Sequence, residues 1–163
     1  MGILSAAIAL FTNGGVGQQG GLRERPSDDK AVQNCTILVM DDDPAALLTV
    51  KTLLVKRGFN VLSSSSAPKG LDLLHYAARD IRIVVLDCNM PKLDGGETLK
   101  FIKQLSPSVK VIGLTAVQFD SLPRGYIDSI DKLLSKPVVA TTLMDAVYNV
   151  LGVEQTASAR TES

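Results

Sequence analysis

The sequence has little of several residue types on which whole classes of protein depend. Among 163 residues there are two cysteines, one histidine and no tryptophan. Two cysteines exclude a disulfide-rich secreted module, and a single histidine excludes a metal site built mainly from imidazoles. Basic and acidic residues number 17 each, and this balance argues against general binding of nucleic acid or anionic membranes. No apolar run approaches the roughly 20 residues of a membrane-spanning helix.

The chain is long enough for one domain, and segments of different composition flank it. Residues 1–34 start with an apolar stretch, pass through a Gly/Gln/Asn tract and end in charged, turn-forming residues. This composition is typical of a flexible arm. No Lys or Arg precedes the apolar stretch, which argues against a signal peptide. We therefore expect a cytoplasmic chain with an arm at 1–34, a domain at 35–152 and a disordered tail at 153–163.

Within the domain, short apolar runs alternate five times with amphipathic stretches. The predicted strands are Thr36–Asp41, Phe59–Ser63, Ile81–Asp87, Val109–Leu114 and Lys132–Ser135. The predicted helices are Pro44–Arg57, Ala67–Ala78, Gly95–Leu105, Gln118–Ile130 and Val138–Leu151. Strict alternation indicates an α/β fold, a flavodoxin-like doubly wound parallel sheet of five strands in the order 2-1-3-4-5 with five helices. In the third helix, the spacing predicts that Leu99, Ile102 and Leu105 face inward.

Polar residues follow those strands whose carboxyl ends meet in this strand order. They are Asp41, Asp42 and Asp43 at the end of strand 1, Asp87 at the end of strand 3, Thr115 after strand 4, and Lys136 after strand 5. Converging carboxylates repel one another unless a cation lies between them, and carboxylate oxygens favour Mg²⁺. A carboxylate nucleophile beside a divalent cation, a lysine and a hydroxyl is suited to phosphoryl transfer that yields an acyl phosphate.

Four segments at these strand ends resemble the receiver domain of two-component response regulators, the CheY-like superfamily. They read ILVMDDDP from Ile37, VVLDCNMPKLDGGE from Val84, VIGLTA from Val111 and SKPV from Ser135. The resemblance spans nearly all of residues 36–152 and implies a stand-alone receiver. Such a protein accepts a phosphoryl group from a sensor histidine kinase or histidine phosphotransfer protein. It then signals to a downstream protein target, here unknown, through protein–protein contacts.

The resemblance also implies a role for each converging side chain. Asp87 would be the phosphoacceptor. The residues that would hold Mg²⁺ are Asp42, Asp87, Asn89 through its backbone carbonyl, and Asp41 through a water molecule. Thr115 and Lys136 would bind the phosphoryl group, and a cis peptide would precede Pro137. We expect Asp43 to cap the first helix rather than bind metal.

Three further positions bear on the switch and on the lifetime of the acyl phosphate. Leu133 stands where many receivers carry a Tyr or Phe whose ring rotates inward, so a switch of that aromatic form is not expected, whereas a switch by repacking of the leucine stays open. Asn89 and Val117 occupy the positions that tune the lifetime of the acyl phosphate in the family. Because the Val117 side chain cannot hydrogen-bond an attacking water, we expect slow self-dephosphorylation.

Other functions fit parts of the same pattern. A receiver assists its own phosphorylation and dephosphorylation but is not a conventional turnover enzyme. A haloacid-dehalogenase-like Mg²⁺ phosphatase also uses an aspartate after strand 1, yet Ala45 stands where Thr or Val is expected. A degenerate receiver acting only as a binding module, or a receiver belonging with a hybrid kinase, stays open. We expect no nucleic acid partner and no membrane span.

Overall fold

The computed structural model of the protein describes residues 35–90, 95–117 and 127–153. Five strands, β1 to β5 in chain order, span Thr36–Met40, Asn60–Ser64, Ile81–Asp87, Lys110–Thr115 and Lys132–Ser135. The four helices within the described ranges, α1 to α4, span Pro44–Lys56, Ala67–Tyr76, Gly95–Leu105 and Ala140–Leu151. The strands form one parallel sheet in the order β2-β1-β3-β4-β5. The predicted fold class and strand order are confirmed.

Most predicted elements match the structure within two residues at each end. The predicted helix Gln118–Ile130 lies largely outside the described residues, as do the arm at 1–34 and residues 154–163 of the tail. In the part of the chain that the structure describes, no helix is both long and apolar enough to cross a lipid bilayer.

Helices cover both faces of the sheet, which explains why its strands are so apolar. The central strand β3 is buried at every position except Arg82, as expected for a strand packed on two sides. On one face, α1 and α4 contribute buried residues such as Leu54 and Val147. On the other face, α2 and α3 contribute Leu74 and Ile102. These two layers hold the carboxyl ends of the strands together at one edge of the sheet.

Helix α1 begins where the sequence predicts. The Asp43 side chain accepts a hydrogen bond from the Ala45 N–H at 2.9 Å, and Pro44 occupies the first turn. This arrangement satisfies one backbone donor at the helix start, where a proline costs no hydrogen bond. The helix ends before Gly58, whose φ of 87° is readily adopted only by glycine. Asp43 is therefore a helix cap, as predicted.

One prediction for α3 is wrong. Leu99 and Ile102 are buried, but Leu105 is 38% exposed. Ser106, one residue further along, is buried instead. Seven residues make about two helical turns, so Ser106 returns to the face of Leu99 whereas Leu105 falls at its edge.

Asp131, directly before β5, forms hydrogen bonds to α3 and β4. The sequence did not indicate this role. The Asp131 carboxylate accepts hydrogen bonds from Lys103 at 3.3 Å, Lys110 at 2.8 Å and the Val111 N–H at 2.8 Å. The Asp131 N–H in turn donates to the Val111 carbonyl at 2.9 Å. These contacts connect α3, β4 and the entry to β5, the strand that leads to Lys136.

Candidate functional site

Three aspartates converge where β1 and β3 end. Parallel pairing places Met40 opposite Leu86, so Asp41 and Asp87, the next residue on each strand, lie side by side. One carboxylate oxygen from each of Asp41, Asp42 and Asp87 lies within 4.8 Å of the other two. Asp41 and Asp87 are buried, whereas Asp42 is exposed. The cluster thus has a buried floor and one acidic group facing solvent.

Lys136 reaches this cluster from the end of β5. Its Nζ lies 2.8 Å from Asp41 Oδ2 and 2.8 Å from Asp87 Oδ2. The Lys136 N–H donates to the Thr115 carbonyl at 2.7 Å, which anchors the residue at the end of β4. The peptide between Lys136 and Pro137 is cis, as the family resemblance implied. One ammonium group therefore bridges two buried carboxylates.

Burial and charge act in opposite directions on this pair. Burial raises the pKa of Asp41, and the hydrogen bond from Lys136 only partly offsets that rise. Burial alone would lower the pKa of Lys136, but hydrogen bonds to Asp41 and Asp87 and the charges of both carboxylates outweigh it and raise that pKa. Lys136 therefore stays positively charged at neutral pH.

Local turns orient the two buried carboxylates. Asp41 Oδ1 accepts a hydrogen bond from the Asp43 N–H at 3.0 Å, and Asp87 Oδ1 accepts one from the Asn89 N–H at 3.0 Å. Each aspartate thus bonds the backbone two residues ahead, which is the pattern of an Asx turn. These bonds were not predicted from the sequence, although an aspartate that leaves a strand is a common signal for them. They leave both Oδ2 atoms directed to Lys136.

The remaining predicted residues lie around this centre in different ways. Thr115 is fully buried, and its hydroxyl accepts a hydrogen bond from the Val117 N–H at 3.1 Å. Val117 is 43% exposed. Asn89 is exposed beside Asp87. Leu133 is half-buried on β5, the edge strand that pairs with β4. The structure therefore brings the acidic residues and Lys136 into direct contact, while the Thr115 hydroxyl is bonded to its own turn.

The donor set suits a hard divalent cation. It offers carboxylate oxygens only, and the single positive charge of Lys136 faces three negative ones. Mg²⁺ prefers oxygen ligands and keeps several waters, so it is bound through one or two carboxylates at partly open sites. The exposed Asp42 beside the buried Asp87 meets this requirement. The residues present thus fit the predicted metal.

Comparison with known proteins identifies the class to which this fold and site belong. A family model described as the response regulator receiver domain matches residues 37–148. A crystal structure of a response regulator receiver domain protein from Clostridium thermocellum is 34% identical, with a TM-score of 0.67, and the match covers 72% of this chain and 94% of that one. The chain belongs to the response regulator receiver domain family.

Curated relatives include both regulators and kinases. The transcriptional regulatory protein ZraR of Escherichia coli K12 is 30% identical over 135 residues, or 80% of this chain. The sensor histidine kinase RcsC of the same organism is 36% identical over 118 residues, or 69% of this chain. The matches cover 30% of ZraR and 12% of RcsC. The chain thus corresponds to a small part of each of these longer proteins.

Proposed function

We propose that the protein accepts a phosphoryl group on Asp87 with the help of Mg²⁺ and signals through contacts with other proteins. The observation that carries the proposal is the cluster in which Lys136 bridges the buried carboxylates of Asp41 and Asp87, with Asp42 alongside. Membership of the receiver family favours this function over the phosphatase alternative. The intact acidic residues also argue against a degenerate module.

Asp87 is better placed than Asp41 to act as the nucleophile, because the Asp41 side chain is fully buried whereas that of Asp87 is 6% exposed. The Asp87 carboxylate is held at both oxygens, with Oδ1 bonded to the Asn89 N–H and Oδ2 to Lys136. Fixed orientation of a nucleophile removes part of the entropic barrier to attack. In transfer from a phosphohistidine, a carboxylate oxygen of Asp87 bonds to phosphorus as the bond from phosphorus to the imidazole nitrogen breaks. The product is an acyl phosphate on Asp87.

Lys136 and Thr115 would stabilise the product. The ammonium group of Lys136 already lies 2.8 Å from Asp87 Oδ2, so it can stabilise the negative charge on a phosphoryl oxygen attached to Asp87. The hydroxyl of Thr115 would reach the phosphoryl group by giving up its bonds to Val117. Asp42, Asp87, the carbonyl of Asn89 and, through water, Asp41 would hold Mg²⁺. When bound, the ion supplies positive charge that screens the transferring group from the carboxylates.

A groove beside the site offers room for the phosphodonor. It has a volume of about 440 Å³ and lies between α1 and the segment after β5, with a lining that includes Ala46, Val50 and Pro137. Lys136 forms part of its wall, and Thr49 of α1 lines it at an exposed position. A histidine kinase or phosphotransfer protein that binds here would present its phosphohistidine to Asp87.

Phosphorylation in vitro tests the chemistry of the proposal. Acetyl phosphate with Mg²⁺ should give one shifted species on a phosphate-affinity gel, and a chelator should abolish it. Asp87→Asn, which conserves size, should remove the shift. Asp72→Asn, at an exposed position in α2, is the matched control and should retain it. A shift that survives Asp87→Asn would place the acceptor elsewhere and refute the proposal.

The choice of docking surface has its own test. Thr49→Asp, at an exposed position of α1 that lines the groove, should slow phosphorylation by a phosphotransfer protein at least about tenfold but leave acetyl phosphate labelling unchanged. Thr52→Asp is the control, because Thr52 is also an exposed threonine of α1 but does not line the groove. Equal effects of the two variants would argue against a donor surface at this groove.

A further inference from the structure

The switch position on β5 packs against a glycine of β4. Gly113 pairs with Leu133 across the two strands. A Cβ placed on Gly113 would lie 2.9 Å from Leu133 Cδ1, 2.9 Å from Ile130 Cδ1 and 3.2 Å from Cys88 Sγ. Carbon atoms in contact prefer separations of about 3.5–4.0 Å, so these three side chains already fill the space beside the glycine.

This packing connects the switch position to the phosphoacceptor. Cys88 directly follows Asp87 and is 7% exposed. It belongs to the apolar layer against which Leu133 and Ile130 pack. The Leu133 methyl and the Cys88 sulfur therefore meet over the backbone of Gly113. Because Cys88 is the next residue after Asp87, this contact lies directly beside the phosphoacceptor position.

A side chain that switches by rotating inward needs an empty inward position. Here Leu133 fills that position while Asp87 is unmodified, and the absence of a side chain on Gly113 is what makes room for it. We infer that Gly113 is a positioning residue that holds Leu133 inward, so that phosphorylation does not move the side chain at 133. The conformational change that follows phosphorylation then takes place at Thr115 and in the turn from Thr115 to Val117. The inference rests on the proposed phosphorylation of Asp87.

The thiol of Cys88 reports directly on this arrangement. Cys35 is 1% exposed, and burial raises its pKa to about 11, so it should react slowly with a maleimide. Peptide mass analysis separates the labelling of the two cysteines. Leu133→Ala should speed labelling of Cys88 about tenfold by uncovering it. Leu134→Ala, a change at the next residue of β5 that packs on the opposite face, should not.

Beryllofluoride with Mg²⁺, a mimic of the phosphoryl group, supplies the decisive comparison in the full chain. Labelling of Cys88 in the unsubstituted protein should change by less than about twofold when the mimic binds. In Gly113→Ala, where the new methyl displaces Leu133, labelling of Cys88 should be about tenfold faster than in the unsubstituted protein, with or without the mimic. A large effect of the mimic on the unsubstituted protein, or labelling of Gly113→Ala no faster than that of the unsubstituted protein, would overturn the inference.

Two further measurements separate this inference from the proposed function. Fluorine NMR shows whether the mimic binds, and absence of binding would count against the proposed site rather than against the packing. A double-mutant cycle without the mimic tests the packing alone. Gly113→Ala and Leu133→Ala together should destabilise less than the sum of the single changes, whereas Gly113→Ala and Leu134→Ala should be additive. Additivity in both pairs would refute a pairing of Gly113 with Leu133.

Discussion

Replacement of Lys136 by methionine tests the electrostatics of the site most sharply. The substitution keeps an unbranched apolar stem but removes the cation that lies 2.8 Å from both Asp41 and Asp87. The side chain of Lys136 is 19% exposed and that of Asp41 is fully buried. Removing one partner of a buried ion pair costs about 3–5 kcal/mol, because the other charge is left without compensation.

We expect a loss near the lower end of that range at neutral pH in a metal-free buffer, about 3 kcal/mol in the free energy of unfolding. The pKa of Asp41 is already raised by burial, so this group can escape part of the penalty by taking up a proton. A carboxyl group whose pKa is raised in the folded state stabilises the fold most when the pH is below its ordinary pKa. This stabilisation is lost as the pH rises through the folded-state pKa. The difference between Lys136→Met and the unsubstituted protein should therefore shrink on acidification to about pH 4.

Urea unfolding followed by far-UV circular dichroism measures this loss in the presence of a chelator. Lys132→Met is the matched control, because Lys132 is an exposed lysine at the start of β5, the strand that leads to Lys136, and it should change stability by less than about 0.5 kcal/mol. Added Mg²⁺ should recover part of the stability of Lys136→Met. Equal unfolding midpoints for Lys136→Met and Lys132→Met would show that the lysine does not hold the buried carboxylates.

Two further substitutions address the entry to β5 and the lifetime of the acyl phosphate. Burial favours a higher pKa for Asp131, but its bonds to Lys110, the Val111 N–H and Lys103 prevail and lower it. Asp131 therefore stabilises the fold when the pH is above the ordinary pKa of an aspartate, and this stabilisation is lost as the pH falls through the lowered folded-state pKa. Asp131→Asn should cost about 1 kcal/mol at neutral pH and little in acid, as measured by urea unfolding, with no such loss in exposed Asp128→Asn. Val117→Glu should shorten the acyl-phosphate half-life roughly tenfold or more, and a small shortening, or a marked lengthening in Val117→Ala, would contradict slow self-dephosphorylation.

The sequence predicted the sheet and the convergence of the site residues because both depend on local patterns. Unbroken apolar runs such as Ile81–Asp87 define buried parallel strands. Strand order then determines which strand ends meet, so Asp41, Asp87 and Lys136 could be expected together before their distances were known. The cap at Asp43 was predictable for the same reason, since it depends only on adjacent residues.

Features that depend on the fit of distant side chains were not predictable. The role of Asp131 arises because the start of β5 lies beside Lys103 and Lys110, more than twenty residues earlier in the chain. The filled space beside Gly113 depends on where the side chain of Leu133 settles across β4 and β5. The error at Leu105 has a simpler origin, because a spacing of six residues does not complete two helical turns.

The identity of the phosphorylated residue is the most direct test of the account. After the protein has been phosphorylated with acetyl phosphate, borohydride reduces an aspartyl phosphate to homoserine. Peptide mass spectrometry then locates the homoserine in the chain. We expect homoserine at position 87 only, formed in the presence of Mg²⁺ and lost with a chelator. Homoserine at Asp41 or Asp42, or the same yield at position 87 without Mg²⁺, would contradict the central claim that this acidic cluster makes Asp87 the phosphoacceptor.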